Sequence, residues 1–150
     1  MPQSLVKNYM HIVFSTKNRQ PLINKSIKSE LHAYLGSVCQ KLGCPVVIIG
    51  GIEDHVHILC LLSKNNSLAE LVGKIKANSS KWMKTKGAQY ANFYWQRGYG
   101  GFSVNPAETD VVKSYIQNQE EHHKNRTFKK EYLLLLKKYD VEFDKRYVWD

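Results

Sequence analysis

What most restricts the folding of this chain is the order in which two hydrophobic periods alternate along it. Tyr9 to Thr16 (YMHIVFST) is rich in β-branched and aromatic residues and predicts a strand, which Lys17-Asn-Arg-Gln-Pro21 ends. Ile27, Leu31, Leu35, Val38 and Leu42 then recur at helical spacing until Gly43 and Pro45 stop them. Val46 to Ile49, closed by Gly50-Gly51, and His55 to Leu62 read as two strands paired as a hairpin across Ile52-Glu-Asp54. Ser67 and Glu70 fit a capping box for a helix with Leu68, Leu71, Val72, Ile75, Trp82 and Met83 on its apolar face. Phe93 to Val104 reads as extended, interrupted by Gly98, Gly100 and Gly101.

These elements run βαββαβ. Their natural packing is an α+β fold, a ferredoxin-like (split βαβ) antiparallel sheet with two helices on one face. Asn105-Pro106 opens a further helix to about Lys124, and a last helix from Phe128 to Tyr139 carries Tyr132, Leu135 and Leu136 on one side. With no repeat, low-complexity tract or linker, 150 residues suit one domain spanning 1–150.

Charge narrows the partner. Lys and Arg number 22 against 13 acidic residues, a formal +9 with a pI near 9.4. Such an excess favours a polyanion, most commonly nucleic acid, over a basic surface that only aids solubility. No apolar run approaches a membrane span, and the N-terminus lacks a signal-peptide pattern. Cys39, Cys44 and Cys60 form no CxxC pair and cannot all pair with one another, which suits a reducing compartment. A cytoplasmic chain with no membrane partner is expected.

Two constellations could carry chemistry. His55 and His57 lie two apart on a strand, so both imidazoles face one side; they read either as half a metal site or as two polar residues on a half-buried face. Glu53 and Asp54 just before them either orient an imidazole or shape a turn. Tyr115 and Gln119, in VVKSYIQNQEEHH, stand one helical turn apart beside Val112 and Ile116. Taken alone, that pattern favours a core aromatic and a solvated rim amide. No GxxxxGK[ST] loop is present, so no nucleotide cofactor is expected.

Together, the H-V-H strand and the Y-I-x-N-Q helix resemble single-tyrosine HUH transposases of the insertion-sequence-200/605 type and their repeat-associated relatives. HIVFSTKNRQP, GGIEDHVHIL, WQRGYGGFSV and EEHHKNRTFKKEYLLLLKKY extend the resemblance over essentially the entire chain. It implies that His55 and His57 are metal ligands with Gln119 as the third, and that Tyr115 is the nucleophile. It also implies Mg²⁺ or Mn²⁺ as cofactor, single-stranded hairpin DNA as substrate, and a homodimer in which the tyrosine helix can serve either subunit. His122 and His123 receive no role. Lys17 and Arg19, directly after the first strand, are the first candidates for DNA contact, followed by Lys74, Lys81, Lys84 and Arg97. Leu133 and Leu134 face away from the main stripe of the last helix and suit either a partner or the chain's own core.

Two rival functions share these features. A non-enzymatic RRM-like module has the same element order, but HVHILCLL places histidines where stacking rings would be expected. A domesticated repeat-processing HUH nuclease would use the same chemistry on a different DNA.

Overall fold

The computed structural model describes residues 2–150. The chain forms β1 (Tyr9–Ser15), α1 (Lys25–Lys41), β2 (Val46–Ile52), β3 (His55–Leu61), α2 (Leu68–Lys84), β4 (Gly100–Val104), α3 (Thr109–Gln117), α4 (Gln119–His122) and α5 (Phe128–Lys138). The strands make one antiparallel sheet in the order β2-β3-β1-β4, with β1 and β3 central. This is the ferredoxin-like arrangement expected from the element order.

Both faces of the sheet are covered, which is why β1 reads as a nearly unbroken apolar run. On one face Ile12, Phe14, Val56, Ile58 and Cys60 pack beneath Leu31 and Leu35 of α1 and Leu71 and Ile75 of α2. The alternate residues point the other way. Val13 and Phe102 meet Phe128, Tyr132 and Leu136, while Leu59 and Val104 meet Ile116. His55 and His57 share the parity of Leu59, and His11 that of Val13, so all three imidazoles lie under α3–α5. An RRM-like module leaves this face of its sheet open; here it is covered.

Polar caps set the helix starts. Asn24 accepts from the Ile27 amide at 3.1 Å, Ser67 from that of Glu70 at 3.1 Å, and Thr127 from that of Lys130 at 3.3 Å. Among the described residues, no helix is long and apolar enough to cross a membrane.

Three expectations about element extent are corrected. The strand expected to close at Gly50-Gly51 runs on through both glycines to Ile52, which pairs with His55, so the turn is Glu53-Asp54. Only Gly100–Val104 of the predicted Phe93–Val104 strand pairs along β1; upstream, a single bridge joins Thr16 to Trp95. The Lys76 ammonium donates to the carbonyls of Gln96, Arg97 and Gly98, so a side chain takes the place of a neighbouring strand. The helix predicted to run unbroken to Lys124 is instead α3 and α4. They are separated at Asn118, whose φ of −97° and ψ of 23° depart from helical values.

Gly50 shows how closely α3 lies on the sheet. A Cβ built there would sit 2.4 Å from the Ile116 carbonyl oxygen and 2.8 Å from its Cγ2. Gly50→Val must push α3 off β2, and we expect a loss of about 3 kcal/mol in urea denaturation, at the upper end of overpacking costs. Gly73→Ala, at a helical position with nothing within 4 Å, is expected to gain up to about 1 kcal/mol. Equal effects of the two would show that α3 does not rest on Gly50.

Candidate metal and nucleophile site

His55 and His57 are fully buried, and each is anchored through its Nδ1. His55 Nδ1 lies 2.7 Å from Asp54 Oδ1, and His57 Nδ1 lies 2.8 Å from His11 Nε2. Both rings therefore turn Nε2 toward a common point. Anchoring of the distal ring nitrogen is how proteins fix the tautomer and orientation of metal-binding imidazoles.

Two helices close over that point. From α4, Gln119 Oε1 sits 2.9 Å from His55 Nε2. From α5, Glu131 Oε1 sits 3.0 Å from His57 Nε2 and 3.3 Å from His55 Nε2. His123 completes the ring, its Nε2 3.0 Å from Gln119 Oε1 and 3.1 Å from Glu131 Oε1. The second carboxylate oxygen of Glu131 accepts hydrogen bonds from the Tyr115 hydroxyl and, at 2.9 Å, from Gln119 Nε2. Tyr115 and Gln119, one turn apart in sequence, thus converge on a single carboxylate.

Burial and hydrogen bonding pull the titratable groups apart. Burial disfavours charge on His55, but its bonds to Asp54 and Glu131 prevail and raise it to about 9. His57 is lowered to about 4, chiefly by burial, which its bond to Glu131 only partly offsets. His11 falls well below its usual value, first through burial and then through His57. Burial also works against ionisation of Glu131, yet bonds from His123, His55 and His57 hold it far below the usual carboxylate range. The Tyr115 phenol is pushed up by burial and by the negative Glu131 beside it, so its proton rests on oxygen.

The donor set suits a divalent ion. With the Nδ1 proton directed to Asp54, a bond from His55 Nε2 to the carbonyl oxygen of Gln119 needs a second proton on the ring. A cation bound by Nε2 would replace that proton. His55, His57 and Glu131 offer ligand atoms all within 4.8 Å of one another, and Gln119 adds a neutral oxygen. Imidazole nitrogen with carboxylate and amide oxygen is a donor mixture that accepts Mn²⁺ readily and Mg²⁺ when it is abundant.

The structure therefore brings His55, His57, Gln119 and Tyr115 into one cluster. Of the basic residues singled out from sequence, Lys17 and Lys84 lie over the Tyr94 ring at 6.0 and 4.1 Å from its centroid. Arg19 lies 5.4 Å from that of Trp149, and Arg97 lines the cavity between these rings. Lys74 and Lys81 are exposed on α2, and neither ammonium lies over a ring among the described residues. Sequence reasoning missed Glu131, His123 and His11. A signal for Glu131 was present: Phe128, Glu131, Tyr132, Leu135 and Leu136 form the buried stripe of α5, so an acid stands at an apolar position.

Residues 4–119 match the family described as transposase, IS200 like. The chain belongs to this family. Two solved structures share the fold of this IS200-like transposase. One is a candidate transposase from Deinococcus radiodurans R1, 20% identical, covering 79% of this chain and 96% of its own, with a TM-score of 0.61. The other is a REP-associated tyrosine transposase bound to a REP hairpin, 14% identical, covering 82% of this chain and 73% of its own, with a TM-score of 0.60. No curated protein sequence matches significantly. The family match contains His55, His57, Tyr115 and Gln119, while His123 and Glu131 lie beyond its end.

Proposed function

We propose that this transposase cleaves and rejoins single-stranded DNA through a covalent bond between Tyr115 and phosphorus. The Tyr115 oxygen attacks the phosphodiester, the bond from phosphorus to the 3′-oxygen breaks, and the 5′ side of the cut stays on the enzyme. The phenol gives up its proton and the departing 3′-oxygen gains one. Attack by a second strand's 3′-hydroxyl reverses the step, and because the linkage conserves the energy of the phosphodiester, no nucleotide cofactor is required. Glu131 Oε2, which accepts the hydrogen bond of the Tyr115 hydroxyl, holds that oxygen in position for attack. His55, His57 and Glu131, with Gln119, would hold Mg²⁺ or Mn²⁺, which supplies charge neutralisation at the phosphate and the leaving oxygen. Lys17, Arg19, Lys84 and Arg97 would bind the DNA backbone, with exposed Lys74 and Lys81 adding to the positive field.

The observation that carries this reading is the convergence of the Tyr115 hydroxyl and the two HUH imidazoles on one buried carboxylate. Joining two DNA ends calls for two such tyrosines, hence a homodimer; Leu133 and Leu134, 38% and 48% exposed, are available to it. The hairpin bound by the REP-associated relative makes hairpin DNA the substrate class to test.

The test uses a pool of DNA hairpins with randomised single-stranded flanks, incubated with the protein and Mg²⁺ or Mn²⁺ and resolved on a denaturing gel. A protein–DNA adduct that a chelator prevents is expected, and sequencing the captured strands identifies the cut site. Tight binding of the pool with no adduct under either ion would favour a non-enzymatic module.

A further inference from the structure

We propose that the cavity between Tyr94 and Trp149 is a receptor for an unpaired nucleobase of the DNA strand flanking the hairpin. This deepens the reading of the chain as a single-strand transposase and rests on it. The cavity measures about 550 Å³, a volume typical of small-molecule sites, and its lining includes Lys17, Tyr94, Gln96, Arg97, Trp149 and one acid, Asp150. Its two rings differ from ordinary surface aromatics. Tyr94 is 50% exposed, with the ammonium of Lys84 at 4.1 Å and that of Lys17 at 6.0 Å from its centroid. Trp149 has the Arg19 guanidinium at 5.4 Å and the Lys129 ammonium at 5.1 Å. Each ring thus has two cations over it, and an entering base takes the place of one of them on the face where it stacks.

That combination selects its ligand. A simple anion would have no use for two aromatic walls, and a neutral apolar ligand none for so many cations. A nucleotide satisfies both demands, with its base stacked on a ring and its phosphate among the ammonium and guanidinium groups. A base within a duplex is already stacked, so only an unpaired one can enter.

The walls are fixed rather than draped. The Lys17 amide donates to the Tyr94 carbonyl at 2.7 Å, and that of Gln96 to the Ser15 carbonyl at 2.9 Å. The Gly98 amide reaches the Asp150 carbonyl at 2.8 Å, and buried Gln96 donates from Nε2 to the same carbonyl at 3.2 Å. These bonds tie the Tyr94 wall and the Trp149 wall to the end of β1. Ser15, at that end, pairs with His55 across the sheet. A base seated in the cavity therefore places the neighbouring phosphates within a few nucleotides of the imidazole cluster and sets which bond meets Tyr115.

The experiment measures fluorescence anisotropy of a labelled, unstructured random-sequence oligonucleotide in chelator, so that binding is read without cleavage. Tyr94→Ala is expected to weaken affinity about tenfold, and Tyr94→Phe, which keeps the ring, to restore it. Trp149→Ala should cost a similar factor, with its thermal melt checked because the ring also packs near Tyr132. Arg97→Ala should lower the slope of log affinity against log salt by about 1. Tyr147→Ala removes a more exposed aromatic, at 60%, outside the cavity and should change nothing. Wild-type affinity in both Tyr94→Ala and a folded Trp149→Ala overturns the base receptor. Weakened binding in a protein that yields no adduct with any hairpin would uphold the receptor and remove the transposase chemistry instead.

Discussion

Tyr115→Phe is expected to leave no covalent DNA adduct while hairpin binding stays within about twofold of the parent chain. The substitution removes one oxygen, the atom proposed to bond to phosphorus, so the loss should exceed ~10³-fold, as for other covalent nucleophiles. Stability provides the control. The hydroxyl donates to Glu131, a residue that is 1% exposed, but the same carboxylate keeps partners in Gln119, His57 and His123. Losing one bond to a charged group that stays well bonded should cost about 1–2 kcal/mol, leaving a folded protein by thermal melt. An adduct of undiminished yield in Tyr115→Phe would mean that another group attacks. Tyr9, which packs with Tyr115 around Leu59 and Ile116, would then be the first alternative to substitute.

How much of this was legible before the structure depends on whether a signal is local. The histidine pair was legible because strand parity alone puts His55 and His57 on one face, and the register with β1 adds nothing to that. Element order was legible because each period change coincides with a cap or breaker, such as Ser67 or Gly43. The stretch before Gly100 was misread for a nonlocal reason: its carbonyls are taken by Lys76, about twenty residues earlier, and no local pattern announces that. The lysines proposed to contact DNA were legible only as a field. Net charge predicts a polyanion, but whether Lys84 or Lys81 matters depends on which one the fold sets over Tyr94. Glu131 was hardest. In KKEYLLLLKK an acid flanked by lysines looks like a solvated helix face, and only its place on the stripe of Phe128, Tyr132 and Leu135 marks it as buried. A buried acid needs partners, and those lie on β3, α3, α4 and, in His123, just past the end of α4.

Substitution of Glu131 should produce the second large effect, and two variants separate its roles. Glu131→Ala removes one of the two carboxylates beside buried His55, leaving Asp54, and takes the shared acceptor from His57, His123 and Gln119, a defect of about 1–3 kcal/mol that should be plain in urea denaturation. Glu131→Gln keeps the volume and one acceptor oxygen but removes the negative charge, so it should fold and test chemistry. If Glu131 helps hold the divalent ion, Mn²⁺ affinity by electron paramagnetic resonance titration should fall at least about 100-fold in Glu131→Gln. The rise in stability that Mn²⁺ gives the parent, about 2.7 kcal/mol at 100 times the dissociation constant, should then disappear at the same concentration. Adduct formation should fall with it. Parent-like Mn²⁺ binding in Glu131→Gln, alongside lost binding in His57→Ala, would confine Glu131 to holding Tyr115. The ion would then belong to His55, His57 and Gln119 alone. The outcome turns on charge, because an amide in place of Glu131 can still position Tyr115 but cannot offset a cation beside three imidazoles.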